Sequence, residues 1–122
     1  MRIYIAGKWE DQERLKRIRQ EVEAIGHTVV GTWLDEVGSA YPSEMYCARY
    51  ARRDLYEISV SNAFFLDTST VNERGGREVE FGAALRGGLF TAVVGPLRNV
   101  FHRIAEARFE NWTEALVWLA MR

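Results

Sequence analysis

The chain has 122 residues, 48% hydrophobic and 27% charged, the size and balance of one domain spanning 1–122 with its own core. Sixteen Lys and Arg against seventeen Asp and Glu leave a net charge of −1, so no global basic field draws it to a nucleic-acid polymer or an anionic membrane, and a small molecule is the partner class left open. The lone Cys47 and two distant His exclude an intrachain disulfide framework and make a poor metal cluster, so no metal or other cofactor is expected and a cytoplasmic setting fits. No apolar run approaches the ~20 residues that span a bilayer. The first residues run straight into a strand-like segment, which reads as a chain without an export signal, and no linker, repeat or low-complexity tract interrupts it.

In chain order, Arg2 to Ala6 is short and β-prone, as an interior strand covered on both faces would be. Gly7 breaks it. From Trp9 to Ile25 the apolar Leu15, Ile18, Val22 and Ile25 recur at three and four, predicting an amphipathic helix ended by Gly26. His27 to Leu34 is β-rich and reads as a strand, Asp35 to Pro42 as a polar loop, and Ser43 opens a second helix filled by Tyr46, Tyr50, Leu55 and Ile58. Ala63 to Leu66 is a continuous apolar strand ending at Asp67, and a polar loop through Asn72 and Arg74 reaches Gly75-Gly76. A helix follows over Glu78 to Leu85, then a strand over Leu89 to Val94 closed by Gly95-Pro96, then a short helix over Asn99 to Ala105. Asn111 with Glu114 three residues on reads as the capped start of a C-terminal helix carrying Leu116 and Leu119.

Strands alternating with helices predict a three-layer α/β sandwich around a five-stranded parallel sheet, wound as in flavodoxin-like or Rossmann-like folds. Such sheets bind ligands beyond the carboxyl ends of their strands where strand order reverses. The loops after Ala6, Leu66 and Val94 are therefore the candidates.

The most informative segment is Gly75-Gly76-Arg77-Glu78-Val79-Glu80-Phe81-Gly82-Ala83-Ala84-Leu85. Its glycines allow a tight turn into a helix whose free N–H groups favour an anion. Glu80 sits among small and apolar neighbours, where a carboxylate is costly unless paired or used. Glu78 lies about 200° around the helix from it. From the residues alone two readings stand for each candidate. Glu80 either caps the helix start in solvent or serves a site; Tyr4 is core or catalytic; Asp54 is surface charge or functional; Arg74 and Arg77 are an anion clamp or surface charge.

Taken together, Tyr4-Ile5-Ala6-Gly7, Arg53-Asp54-Leu55, the strand Ala63 to Asp67 and Glu80-Phe81-Gly82-Ala83-Ala84 resemble, in order and spacing, the nucleoside 2-deoxyribosyltransferase family and its deoxynucleoside 5′-monophosphate N-glycosidase relatives. The resemblance implies an enzyme that cleaves or transfers an N-glycosidic bond through a covalent glycosyl-glutamate. It places Glu80 as nucleophile, Tyr4 as the phenol orienting it, and Asp54 as the carboxylate that contacts sugar or base and helps protonation. Gly7 and Trp9 fall beside the substrate, with Trp9 lining the base pocket or else packing the helix start. Asn99 falls where an asparagine reaches the sugar of a neighbouring subunit, which implies a homodimer or larger oligomer with a shared site.

One position departs from the transferase pattern. Six residues before Glu80 the transferases carry an acid at the sugar, and here Arg74 stands. An arginine can bind phosphate bidentately, so the expected substrate is a nucleotide whose phosphate is held by Arg74, Arg77 and the N–H groups near Gly75 and Gly76. The nucleophile is expected to be ionised, favoured by the helix N-terminus and Tyr4. The competing reading is a module of the same fold that binds or senses a nucleotide without cleaving it. A phosphoribohydrolase of the cytokinin-activating kind is a further alternative, although no Pro precedes Gly75 as its longer glycine run would require.

Overall fold

The computed structural model describes residues 1–38, 43–72 and 74–122. Among these, β1 (Arg2–Ala6), β2 (Thr28–Val29), β3 (Ala63–Asp67), β4 (Phe90–Val94) and β5 (Ala107–Phe109) form one sheet in the order β2-β1-β3-β4-β5, every pairing parallel. Four α-helices accompany it: α1 (Gln12–Ala24), α2 (Glu44–Ser59), α3 (Gly76–Arg86) and α4 (Trp112–Ala120). The strand order is that of flavodoxin-like folds, with its reversal between β1 and β3. No helix among the described residues is long and apolar enough to cross a membrane.

The apolar strands β1 and β3 are buried on both faces, and their alternation sorts the core into two layers. On one face Tyr4 stacks on Phe64, which meets Phe81 of α3. On the other, Phe65 stacks against Phe109 and Trp112, under α4. Helix α3 packs with α2, and α1 with α4.

Three predicted elements need correction. The strand expected over 27–34 survives only at Thr28–Val29, and a 3₁₀ turn follows over Thr32–Asp35. Its pairing stops because the Trp33 indole N–H donates to the Ile5 carbonyl at 2.8 Å, while Glu57 accepts from the Thr32 N–H at 3.3 Å. Both replace partners that a continuing strand would have used. The helix expected from Trp9 begins as a 3₁₀ turn over Trp9–Asp11 before α1. In α2, formed as expected, Ile58 is buried while Tyr46 and Leu55 are exposed. The fifth strand, β5, lies where no strand had been located, in a three-residue segment too short to show a period. Residues 39–42 of the loop expected over Asp35 to Pro42 lie outside the described residues. Asn111 accepts from the Glu114 N–H at 3.0 Å as the N-cap of α4, as expected.

Asp67 ends β3 wholly buried. Arg14 grips both its oxygens, at 2.9 and 3.1 Å, the Trp112 indole donates at 2.7 Å, and the Ser69 N–H at 3.0 Å. Burial works to raise its pKa, but the bonds from Arg14 and Trp112 outweigh it and hold the carboxyl below the usual range. A carboxylate whose folded pKa is depressed stabilises the fold above its unfolded pKa and loses that contribution as pH falls through its folded one. Asp67→Ala is therefore expected to cost roughly 2–4 kcal/mol in urea denaturation at neutral pH, toward the lower end for a buried pair because Arg14 keeps contact with water. The gap to wild type should narrow in acid.

Candidate functional site

The site grows from the middle of β1. The Tyr4 ring is completely buried, held flat on Phe64 with centroids 5.6 Å apart and planes within 4°. Gly31 lies close behind it, where a Cβ would come within 3.2 Å of the ring. From this fixed ring the hydroxyl donates to Glu80 Oε2 at 2.6 Å. Helix α3 delivers Glu80 after a turn at Gly75, whose φ of +84° is a conformation that favours glycine.

Burial raises the Glu80 pKa to about 8, opposed by the Tyr4 hydrogen bond and by Arg53 and reinforced by Asp54 and Glu57. This corrects the expectation of an ionised carboxylate. The helix N-terminus and one phenol do not offset desolvation beside two further acids. Burial, and after it Glu80, hold the Tyr4 phenol well above its usual value, so it remains a donor.

Asp54 faces the same cavity from α2. Arg53 bonds it through Nη2 at 2.8 Å and Nε at 3.3 Å. The same guanidinium bonds Glu36, lies 3.6 Å from Glu57 Oε1, and sits 4.9 Å above the Tyr50 ring. Burial pushes Asp54 up to about 6 even with Arg53 opposing, and Glu36 and Glu57 add to the rise. One arginine thus organises three acids, and a fourth, Glu80, shares their field.

A cavity of about 450 Å³ opens here, beyond the carboxyl ends of β1 and β3 at the point where strand order reverses. Gly7, Trp9, Asp54, Arg74, Gly76, Arg77 and Glu80 line it, Tyr4 supports Glu80, and Gly75 begins the helix. Gly7 lies tight against α1, since a Cβ there would fall 2.5 Å from Leu15 Cδ1. Arg74 pairs with Glu10 at 2.9 Å on the rim. Arg77 reaches the wall but is almost wholly buried, and its Nη1 donates to the carbonyls of Asp67 and Thr70 at 3.0 and 2.8 Å. Through Nη1 it thereby ties α3 to the loop after β3, while its buried Nε has no hydrogen-bond partner among the described residues.

Asn99 does not line this cavity. It caps the 3₁₀ turn Val100–Ile104 by accepting from the N–H groups of Phe101 and His102, and its amide donates to Glu78 at 3.2 Å. Glu78 also meets buried His102 at 2.9 Å. The two glutamates of α3 therefore face different partners, as their angular separation predicts.

Sequence reasoning missed other parts of the wall, among them Glu36, Cys47, Tyr50 and Trp33. The spacing of 47, 50 and 54 along α2 carried a signal, one helix face. Glu36 and Trp33 carried none, because they follow a strand that ends early. An open polar cleft adjoins the cavity, sharing Lys8, Asn72 and Arg74 with it and adding Ser69, Thr70 and Arg98. Arg98, from the loop after β4, is that loop's contribution.

No family model matches the chain, and no curated protein does. Solved structures do. A 2-deoxyribosyltransferase from Bacillus psychrosaccharolyticus matches with a TM-score of 0.77 at 22% identity, covering 95% of this chain and 90% of that one. The CMP N-glycosidase BcmB of Clostridium botulinum matches at 0.66 and 17% identity over 100% of both chains. A 2-deoxyribosyltransferase from Leishmania mexicana gives 0.72 at 13% identity, covering 98% and 97%. The chain therefore has the fold of these proteins: a single flavodoxin-like α/β layer sandwich built on a five-stranded parallel sheet.

The raised pKa of Glu80 makes a stability prediction. Between its ordinary value of 4.5 and about 8 the folded chain holds a proton that the unfolded chain has released, so stability falls as pH rises through that window. Glu80→Gln keeps an acceptor for Tyr4 and removes the titration. The variant should match wild type near pH 4.5 and exceed it in Tm by roughly 5 °C or more once pH passes the folded value. A Tm difference that stays flat with pH would show that Glu80 titrates as an exposed carboxyl.

Proposed function

We propose that the chain is an enzyme that cleaves or transfers the N-glycosidic bond of a nucleoside 5′-monophosphate or nucleoside. The observation that carries this reading is the 2.6 Å bond from Tyr4 to Glu80, which aims one carboxyl oxygen at a sugar-sized cavity also faced by Asp54. The names of the structural neighbours, 2-deoxyribosyltransferase and CMP N-glycosidase, support the same class of reaction.

In the proposed chemistry Glu80 first passes its proton to Asp54, directly or through water, and the carboxylate so formed attacks C1′ on the face opposite the base. The C1′–N bond breaks with its electron pair passing to the base nitrogen, which Asp54 protonates directly or through water. The glycosyl ester is then opened by water, giving hydrolysis, or by a second base, giving transfer. Either route retains configuration at C1′, as in retaining glycosidases. The acids around Glu80 that disfavour its charge also favour the cationic sugar that develops in the transition state, so the field that raises its pKa assists the reaction.

The phosphate falls to Arg74, together with Lys8 and the N–H groups at Gly75 and Gly76, because Arg77 is committed to backbone carbonyls. The Arg74–Glu10 pair is exposed on both sides, where solvent screens it, so a phosphate dianion competes with Glu10 for the guanidinium. Asn99 is assigned to the 5′ end of the sugar in a neighbouring copy, which makes the working unit a homodimer or larger.

Wild-type protein incubated with a panel of nucleosides and 5′-monophosphates, with and without an acceptor base, should release or exchange base, read by chromatography. Glu80→Gln should lose at least about 10³-fold in turnover and Tyr4→Phe about 10–100-fold; full activity in Glu80→Gln ends the nucleophile assignment. Binding without any base release returns the protein to the nucleotide-binding reading.

Arg74→Ala should raise KM for the monophosphate about tenfold or more and leave the nucleoside almost unaffected. A wild type that prefers the nucleoside, with Arg74→Ala no different, removes the phosphate from the substrate.

A further inference from the structure

The wall of the cavity formed by α2 and the 32–36 turn differs in character from the Arg74 rim. It combines the aromatic residues Trp33 and Tyr50 with the carboxyls of Glu36 and Asp54, beside Cys47, Ala51 and Leu55. The Trp33 indole N–H is spent on the Ile5 carbonyl, so it offers a ligand no donor. Arg53 is absent from the lining; it bonds Oε1 of Glu36 and Oδ1 of Asp54. Oε2 of Glu36 and Oδ2 of Asp54 have no hydrogen bond among the described residues.

Glu36 is also held in place from behind. Gln12 of α1 donates through Nε2 to the carbonyls of Trp33 and Glu36, both at 2.8 Å. The Glu36 carboxyl is thus fixed at both its backbone and its head, on a stretch of the cavity wall it shares with Trp33 and Tyr50. Such a group accepts hydrogen bonds and donates none. It rewards a planar ligand whose edge carries N–H donors and penalises one that turns a carbonyl oxygen toward it, because two acceptors then meet with no proton between them.

From this we propose that Glu36 is a specificity-determining residue that selects substrates whose base bears an exocyclic amino group, and rejects the corresponding oxo bases. The proposal rests on the N-glycosidic reading for the placement of a base against this wall, and it goes beyond that reading by naming which bases are accepted. Cytosine against uracil, and adenine against hypoxanthine, are the informative pairs, since each differs at the exocyclic amino group and the adjacent ring nitrogen while keeping size and shape.

The test measures binding apart from cleavage. Calorimetry on Glu80→Gln protein compares the 2′-deoxy 5′-monophosphates of cytidine and uridine, and of adenosine and inosine, and is repeated in Glu36→Gln/Glu80→Gln. Base release by wild type from the same four compounds is followed in parallel. In the Glu80→Gln background the amino member of each pair should bind at least about tenfold tighter. In the double variant the amide that replaces the Glu36 carboxyl can both donate and accept, so the preference should fall to within about threefold, with thermal unfolding confirming that the double variant is folded.

Equal binding of amino and oxo partners overturns the proposal, whether or not base is released. So does a preference that Glu36→Gln leaves intact, because selection then lies elsewhere. Amino-selective binding that Glu36→Gln abolishes, with no base released by wild type, upholds the role of Glu36 and overturns the catalytic reading alone. Should Glu36→Gln fail to fold, Gln12→Ala, which frees the backbone of residues 33 and 36, must weaken the preference at least about threefold, and an unchanged preference there overturns the proposal.

Discussion

The structure turns on a half-buried carboxyl, at the wall of a cavity, whose one hydrogen-bond donor among the described residues is a phenol. Glu80 lies on a helix whose other inward residues, Phe81 and Ala84, are buried and apolar, and the hydroxyl that meets it comes from a ring with no exposed surface. Neither partner has room to adjust. Tyr4 is fixed by Phe64 and Gly31, and α3 is pinned at its start by Gly75 and by Arg77 reaching back to Asp67 and Thr70. The cost of desolvating Glu80 is therefore borne by the whole packing of β1, β3 and α3, and relaxing any of them would let the carboxyl turn to solvent.

Asp67 shows what a buried carboxylate looks like when stability alone is served. It ends the strand next to Tyr4's strand and is at least as deeply buried as Glu80, yet it has an arginine fork, an indole and a backbone N–H, and its pKa is lowered. Glu80 and Asp54 are both raised. The difference is the number of donors. Three donor groups offset burial at Asp67; a phenol does not at Glu80, and at Asp54 an arginine shared with Glu36 and Glu57 does not either. The opposite shifts set the carboxyl that holds the fold apart from the two that face the cavity.

Much of the fold was legible because its strongest signals are local. The apolar run of β3, the three-and-four spacing of α1 and the Asn111 cap each act within a few residues. The link from Tyr4 to Glu80 spans 76 positions, and no periodicity reports it; only the resemblance of the flanking motifs put the two together. Arg77 shows the converse. Beside two glycines at a helix start it reads as an anion ligand, but the loop after β3 turns two carbonyls toward it, and those take its Nη1. Composition cannot reveal which acceptor a guanidinium will find. Nor can it show that Arg53 would gather Glu36, Asp54 and Glu57, since their association depends on where a turn leaves the sheet.

That turn is where sequence reasoning and structure part most, and the reason is functional in form. Val29 to Trp33 has the composition of a strand, and continuing β2 alongside β1 would have satisfied the Ile5 carbonyl with backbone. Instead Trp33 supplies an indole N–H to that carbonyl, and Glu57 takes the N–H of Thr32. The chain leaves the sheet at no net loss of hydrogen bonds. Freed from the edge, the segment folds back over the carboxyl end of β1 and places Trp33 and Glu36 in the cavity wall. A full-length β2 would keep residues 32–34 in the sheet and deprive the site of that wall. The local preference for strand is overridden where the protein needs a pocket, which is where departures from local rules are expected to concentrate.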